Sequence, residues 1–293
     1  MGLLFPNFIA DAIVARHDAS VLRDPHTGIM LGAEPGDFGP AEAPNAALFI
    51  HGFTGCGNNF EELPQRVAAA GWHACVMLLP GHGTYPASYE QVSADDLLNA
   101  VLDETRALLA GHDKVVLIGH SLGGALATLV AAQLPELSGL VLGAPYFAIT
   151  PRWFYGCAPE TWMRLGPRLT RWIHSPADRQ AVFRREISTS IVSYAWIPTK
   201  AAVTAMGVAA QSSRWEIGAR IAQPVLLLHG RWDGVTSPDA SVRVVNGMAS
   251  DNKRIVLYDN SNHILFWDYE REAITEEVLQ FLNRLAISPC KQP

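Results

Sequence analysis

Between positions 46 and 258 the chain carries six short runs rich in consecutive apolar residues, at 46–50, 74–79, 115–118, 137–143, 224–229 and 254–258. Gly or Pro closely follows each of the first three. Continuous apolar runs of this length read as strands buried on both faces, the environment of a parallel sheet. Between runs the period changes. Over 93–109 apolar residues fall at Leu97, Leu98, Val101, Leu102, Leu108 and Leu109, behind a capping-box-like Ser93-x-x-Asp96, and this predicts an amphipathic helix. Strand and helix in alternation give an α/β class: an open, mostly parallel, doubly wound sheet with right-handed crossovers.

One stretch breaks the rhythm. Residues 146–215 show no parallel-strand pattern and hold five of the eight tryptophans, Trp153, Trp162, Trp172, Trp196 and Trp215. They read as a mainly helical lid, which divides the chain into core 1–145 (with an N-terminal extension, 1–45), lid 146–215 and core 216–293. Charge follows the same division. The whole chain is −6, with 22 Lys and Arg against 28 Asp and Glu. The lid alone has nine basic and three acidic side chains, a net of +6, which leaves −12 on the remainder. An acidic chain lacks the footprint for nucleic acid. An apolar fraction of 49% with 17% charged residues excludes disorder.

The four cysteines, Cys56, Cys75, Cys157 and Cys290, have neither zinc-ligand nor CxxC spacing, and read as reduced thiols without a disulfide framework. The start has no early Lys or Arg and is interrupted by Pro6 and Asp11, so a cytoplasmic protein is expected. The apolar window 115–132 has the length of a membrane span, but its middle argues otherwise.

That middle is Gly119-His120-Ser121-Leu122-Gly123-Gly124, a Gly-x-Ser-x-Gly sequence set between an apolar strand and an apolar helix. This is the setting of a nucleophile elbow, where a strained turn projects a serine hydroxyl over the strand ends. A serine hydroxyl needs a histidine to take its proton and an acid to orient that histidine. In such folds the partners follow the serine in the order acid, then histidine, each after a late strand. Asp233, in Gly230-Arg231-Trp232-Asp233-Gly234, and His263, in Asn260-Ser261-Asn262-His263, fit. Among rival acids, Asp239 is expected to cap a helix, Asp259 to stabilise its loop and Asp268 to begin the last helix. His120 is expected to turn away from the serine, in a structural or substrate-binding role. His229 is expected to pack in the sheet, His82 to bond within its glycine turn, and His17, His26, His73, His112 and His174 to be packed or solvated. The amides of Leu122 and of Phe53, in His51-Gly52-Phe53-Thr54-Gly55, are the candidate oxyanion donors. No HExxH, phosphate loop or dinucleotide fingerprint occurs, so neither metal nor cofactor is expected.

Together with Gly81-His82-Gly83-Thr84 and Asn262-His263-Ile264-Leu265-Phe266-Trp267-Asp268, these motifs resemble the α/β-hydrolase superfamily, and within it bacterial monoacylglycerol lipases and small carboxylesterases. The resemblance runs from about position 46 to 286, apart from the lid. It implies a serine ester hydrolase acting on small acyl esters through a Ser-His-Asp triad and an acyl-enzyme. An amidase, peptidase or acyltransferase could use the same triad, and a hydrolase fold kept as a ligand-binding protein is the alternative of another class. The tryptophans of the lid offer an apolar ceiling for an acyl chain. Its arginines, Arg164, Arg168 and Arg171 among them, either face a lipid surface or pair with acidic residues of the core.

Overall fold

The computed structural model describes residues 7–151, 159–176 and 180–287. Trp153, Cys157 and Cys290 lie outside these residues, as do the side chains of Trp162 and Arg164. Nine strands are described: β1 (Gly36–Phe38), β2 (Asn45–Ile50), β3 (His73–Val76), β4 (Lys114–His120), β5 (Gly139–Gly143), β6 (Trp172–His174), β7 (Trp196–Pro198), β8 (Val225–Gly230) and β9 (Lys253–Tyr258). Seven form one sheet, in the order β1-β3-β2-β4-β5-β8-β9. Every pairing is parallel except β1 with β3, an antiparallel edge. The six apolar runs are the six parallel strands. β1 has three residues and no apolar run, so it left no periodic signal in the sequence.

Helices α1 (Asn7–Asp18), α2 (Leu63–Ala69), α3 (Pro86–Tyr89), α4 (Ala94–Gly111), α5 (Leu122–Ala131), α6 (Pro159–Leu169), α7 (Thr199–Ser212), α8 (Trp215–Gly218), α9 (Pro238–Asn246) and α10 (Arg271–Ile287) complete the main elements. The capping box of α4 is formed: Ser93 Oγ accepts from the Asp96 amide and the Asp96 carboxylate accepts from the Ser93 amide. β3 stops at Val76, three residues short of its apolar run, because the Leu79 amide turns out of the ladder to donate to His51 Nε2 and Pro80 follows.

The 115–132 window is β4 followed by α5, and every residue of both is buried. Among the described residues no helix is long and apolar enough to cross a membrane. Full burial of side chains such as Leu117, Ile118 and Leu126 contributes roughly 1.5–3 kcal/mol each. This strand–helix pair anchors the larger of the two apolar clusters flanking the sheet.

Between β5 and β8 lies the insertion. It is mainly helical, with α6 and α7, a 3-10 turn at Arg185–Ser190 and the short α8. It also contains the antiparallel pair β6–β7, which three-residue strands left invisible to a search for parallel-strand runs. The N-terminal extension reaches across to it. Ala10 and Val14 of α1 pack on Trp172, with Trp196 beside them, and Asp11 Oδ1 accepts from both the Trp172 indole and the Arg171 guanidinium. The other side of that guanidinium is bidentate on Glu90, 8% exposed at its side chain. Arg171 therefore joins three segments, and the pairing alternative holds for it.

The approach of α5 to the sheet gives a direct test. A Cβ on Gly123 would lie 1.9 Å from the Ile50 carbonyl oxygen, whereas one on Gly207 in α7 would meet nothing within 4 Å. Gly123→Ala is expected to destabilise by at least 1–3 kcal/mol, the usual range for overpacking. Gly207→Ala is expected to stabilise by about 0.5–1 kcal/mol through helix propensity. Denaturant unfolding of both variants checks the contrast; equal effects would contradict the packing described.

Candidate active site

Ser121 stands between β4 and α5 with φ 52° and ψ −115°, a conformation that L side chains rarely adopt. Its amide donates to the Gly143 carbonyl and its own carbonyl accepts from the Tyr146 amide, so the turn is fixed from both sides. The side chain makes no capping bond to the helix it precedes. Its Oγ lies 2.9 Å from His263 Nε2, and His263 Nδ1 lies 2.8 Å from Asp233 Oδ2. Serine, acid and histidine are 5%, 3% and 7% exposed. Three loops, after β4, β8 and β9, thus deliver one hydrogen-bonded series at the carboxyl ends of parallel strands, where open α/β sheets place their sites.

The acid is held by more than the histidine. Asp233 Oδ1 accepts from the Val235 and Thr236 amides at 2.7 and 3.0 Å. Oδ2 accepts from the Thr236 hydroxyl at 2.9 Å and from His229 Nε2 at 3.0 Å. Burial alone would raise this carboxyl. The charge of His263 and the hydrogen bonds from His229 and His263 overrule burial and hold it far below the usual carboxylate range.

A protein-family model described as Hydrolase_4, serine aminopeptidase S33, matches residues 41–270. The chain belongs to the S33 serine aminopeptidase family. A thermostable monoacylglycerol lipase from Bacillus sp. (strain H-257) is 27% identical over 267 residues, covering 88% of this chain and 97% of that protein. A carboxylesterase from Bacillus subtilis (strain 168) is 22% identical over 245 residues, covering 82% and 93%. Among solved structures, one from a study of the metagenome-derived lipolytic enzymes LipS and LipT has a TM-score of 0.76 at 24% identity, covering 87% of this chain and 99% of that one. A soluble variant of monoglyceride lipase from Saccharomyces cerevisiae has a TM-score of 0.73 at 17% identity, covering 90% and 98%. These two structures show the α/β-hydrolase fold. With the triad geometry, the chemistry of this S33 family member is that of a serine ester hydrolase.

The rival acids have other partners. Asp259 accepts from Arg231 at 2.6 Å. Asp239 lies in the first turn of α9, but the cap expected of it is Ser237, whose Oγ accepts from the Ala240 amide. Asp268 does not begin the last helix, which starts at Arg271. Fully buried, it accepts the amides of Asn262 and Tyr269 from the histidine loop, and of Phe183 and Arg184 from the insertion. The Ile264 amide also donates to the Ala181 carbonyl, and Val182, Ile187, Ile191 and Ile264 form one apolar cluster. Residues 180–191 of the insertion therefore brace the histidine loop, a role that no local motif announced.

His120 packs against Phe60, Phe266 and His263, and its Nε2–H donates to the His263 carbonyl at 3.0 Å. Burial, then the charge of His263, push it down to about 3. His51 donates from Nδ1 to the Gly52 carbonyl and accepts the Leu79 amide at Nε2. Burial, then His82, hold it well below the ordinary histidine range. His82 donates to the Pro80 carbonyl at 3.0 Å and is lowered to about 4 by burial. Of the tryptophans expected as a ceiling, Trp172 and Trp196 pack toward α1 and Trp215 is 73% exposed. Cavities of about 340 and 410 Å³ open beside Trp215 and Trp232 respectively, and Ser121 lines neither.

Neutral buried histidines give stability a pH dependence of known sign. His82 takes up a proton near pH 4 when folded, but near the ordinary 6.5 when unfolded. Protons between these values favour the unfolded chain, so the contribution of this group is fully present above pH 6.5 and is lost as the pH drops toward 4. The loss is on the order of 3 kcal/mol for His82, and His120 extends it toward pH 3. His82→Asn retains a donor for the Pro80 carbonyl without titrating. It is expected to flatten the fall in melting temperature between pH 6.5 and 4, as differential scanning calorimetry would show.

Proposed function

We propose that this protein hydrolyses carboxylic esters with apolar acyl chains, monoacylglycerols among them. The hydrogen-bonded series Ser121–His263–Asp233 carries the reading. Ser121 is the nucleophile: its Oγ bonds to the ester carbonyl carbon as its proton passes to His263 Nε2. Collapse of the tetrahedral adduct breaks the bond to the alcohol, which leaves with that proton. Water then repeats the sequence, its proton going to His263 and returning to Ser121 Oγ as the acid departs. Asp233 keeps the Nδ1–H tautomer of His263 and stabilises the imidazolium in both halves.

The amides of Leu122 and Phe53 are the oxyanion donors. Leu122 opens α5, where an amide has no intrahelical acceptor, and neither amide has an acceptor among the described residues. His120 carries no substrate in this reading; its bond to the His263 carbonyl positions the base. The monoacylglycerol and carboxylesterase relatives support an ester with an alcohol leaving group over the amide or peptide bond that the family description names. No metal or cofactor enters any step.

Residues 146–215 form the lid. Exposed Leu165 and Leu169 lie one turn apart on α6, and exposed Ile173 follows on β6. With Arg168 exposed among them, they form the face that meets a lipid surface, apolar side chains entering and a cation at the headgroups. Buried free thiols at Cys56 and Cys75 support a reducing, cytoplasmic setting.

Ser121→Ala and His263→Ala are each expected to remove nearly all activity on p-nitrophenyl esters, and the double variant to lose little more, because the two act as one unit. Multiplying losses would contradict a shared triad. In a chain-length series run beside monoacylglycerols and peptide anilides, kcat/KM is expected to favour esters; preference for the anilides would move the reading to an aminopeptidase. Leu165→Ser with Leu169→Ser is expected to raise KM for monoacylglycerol in vesicles and spare short soluble esters. Equal effects on both would remove the lipid-facing role.

A further inference from the structure

Asp233 has a second histidine. His229, the penultimate residue of β8, is fully buried, and its Nε2 lies 3.0 Å from the same Oδ2 that receives His263 Nδ1. A carboxylate oxygen only accepts, so Nε2 carries the hydrogen and donates it. The other ring nitrogen, Nδ1, is buried with no partner, as expected of the Nε2–H tautomer with a bare lone pair. Oδ2 thus collects three donors, the Nδ1–H of His263, the Nε2–H of His229 and the Thr236 hydroxyl. Oδ1 is occupied by two backbone amides.

The reaction as proposed uses only His263. A histidine that served sheet packing alone could be any apolar side chain of its size. Instead it places a second donor on the oxygen that faces the catalytic base. We infer that His229 is a positioning residue that tempers the charge of Asp233 and fixes Oδ2 toward His263 Nδ1, so that the triad acid orients the base without holding its proton too firmly. The physical ground is competition at one oxygen: each hydrogen bond to a carboxylate spreads its charge and weakens its pull on the other donors. The titratable groups around the carboxylate are His229 on β8, His263 after β9, and His120 at the end of β4, whose Nε2–H is committed to the His263 carbonyl.

The inference rests on reading Asp233 as the triad acid, and the experiment separates the two. The pH dependence of kcat/KM is measured on a soluble ester for wild type, His229→Leu, His229→Gln and Asp233→Asn. Leucine fills the space without a donor, while the glutamine amide reaches where Nε2 stands and donates. With a donor removed, more charge faces His263 and its imidazolium is favoured. The acid limb for His229→Leu is expected to move to higher pH by roughly half a unit or more, with kcat lowered and KM little changed. His229→Gln is expected to return the limb to the wild-type position.

Superposing limbs for wild type and His229→Leu, or equal shifts in the leucine and glutamine variants, would overturn the inference while a collapse of activity in Asp233→Asn left the triad standing. An active Asp233→Asn enzyme would overturn the triad reading itself. Should His229→Leu fail to fold, nitrogen-15 NMR of wild-type histidine rings at the pH of maximal activity decides the matter: His229 is expected as the neutral Nε2–H tautomer, and the Nδ1–H tautomer or an imidazolium would contradict its donation to Asp233.

Discussion

The rest of the site depends on a close approach of backbone to backbone. Where β4 ends and α5 begins, the two elements sit so near each other, and α5 so near β2, that side chains are excluded. A Cβ on Gly119 would fall 2.5 Å from the Gly123 carbonyl oxygen, and one on Gly123 nearer still to Ile50. Glycine at both positions lets the chain reverse in one residue, and that residue is Ser121. Its positive φ is strain that the surrounding bonds over-determine. The hydroxyl is thereby lifted clear of its helix and faces His263. The same proximity brings the start of α5 against the end of β2, at the point where strand order reverses between β2 and β4.

Around that turn the electrostatics follow one rule: a buried carboxylate must be matched by donors, and the histidines that brace the site must stay neutral. Asp233 is the charge, and five donors answer it. His51, His82 and His120 surround the site with their protons committed to backbone carbonyls and their basicity suppressed by burial. Cationic histidines here would compete with His263 for the carboxylate. Kept neutral, they act as rigid braces, His51 tying the turn after β2 to Leu79 and His120 holding the backbone of the base.

How much of this was legible in the sequence depended on whether the signal was local. The six parallel strands and α4 are written as apolar period and capping chemistry, and they were found. Ser121 declared itself because a glycine-flanked serine between strand and helix has few other uses, and Asp233 and His263 followed from loop position after late strands. What escaped depends on contacts between distant segments. Three-residue strands such as β1, β6 and β7 carry no period. Asp268 looked like a helix start, because nothing near it in the chain reveals that amides from residues 183 and 184 converge on its carboxylate. His229 looked like sheet packing, since a strand pattern shows that a side chain is buried but not what its ring nitrogen meets. The tryptophans of the insertion suggested a ceiling over the serine, yet Trp172 and Trp196 turn to α1, an element outside the family match.

The fold, the turn and the buried triad converge on an environment that makes Ser121 a nucleophile. Covalent labelling tests it most directly. The native protein is treated with a fluorophosphonate, digested and read by peptide mass spectrometry, beside the same protein after denaturation and beside His263→Ala. One adduct per chain is expected, on Ser121, absent from the denatured sample and nearly absent from the variant. A native, folded protein that takes up no label, or that carries it on a different serine, would contradict that role for Ser121.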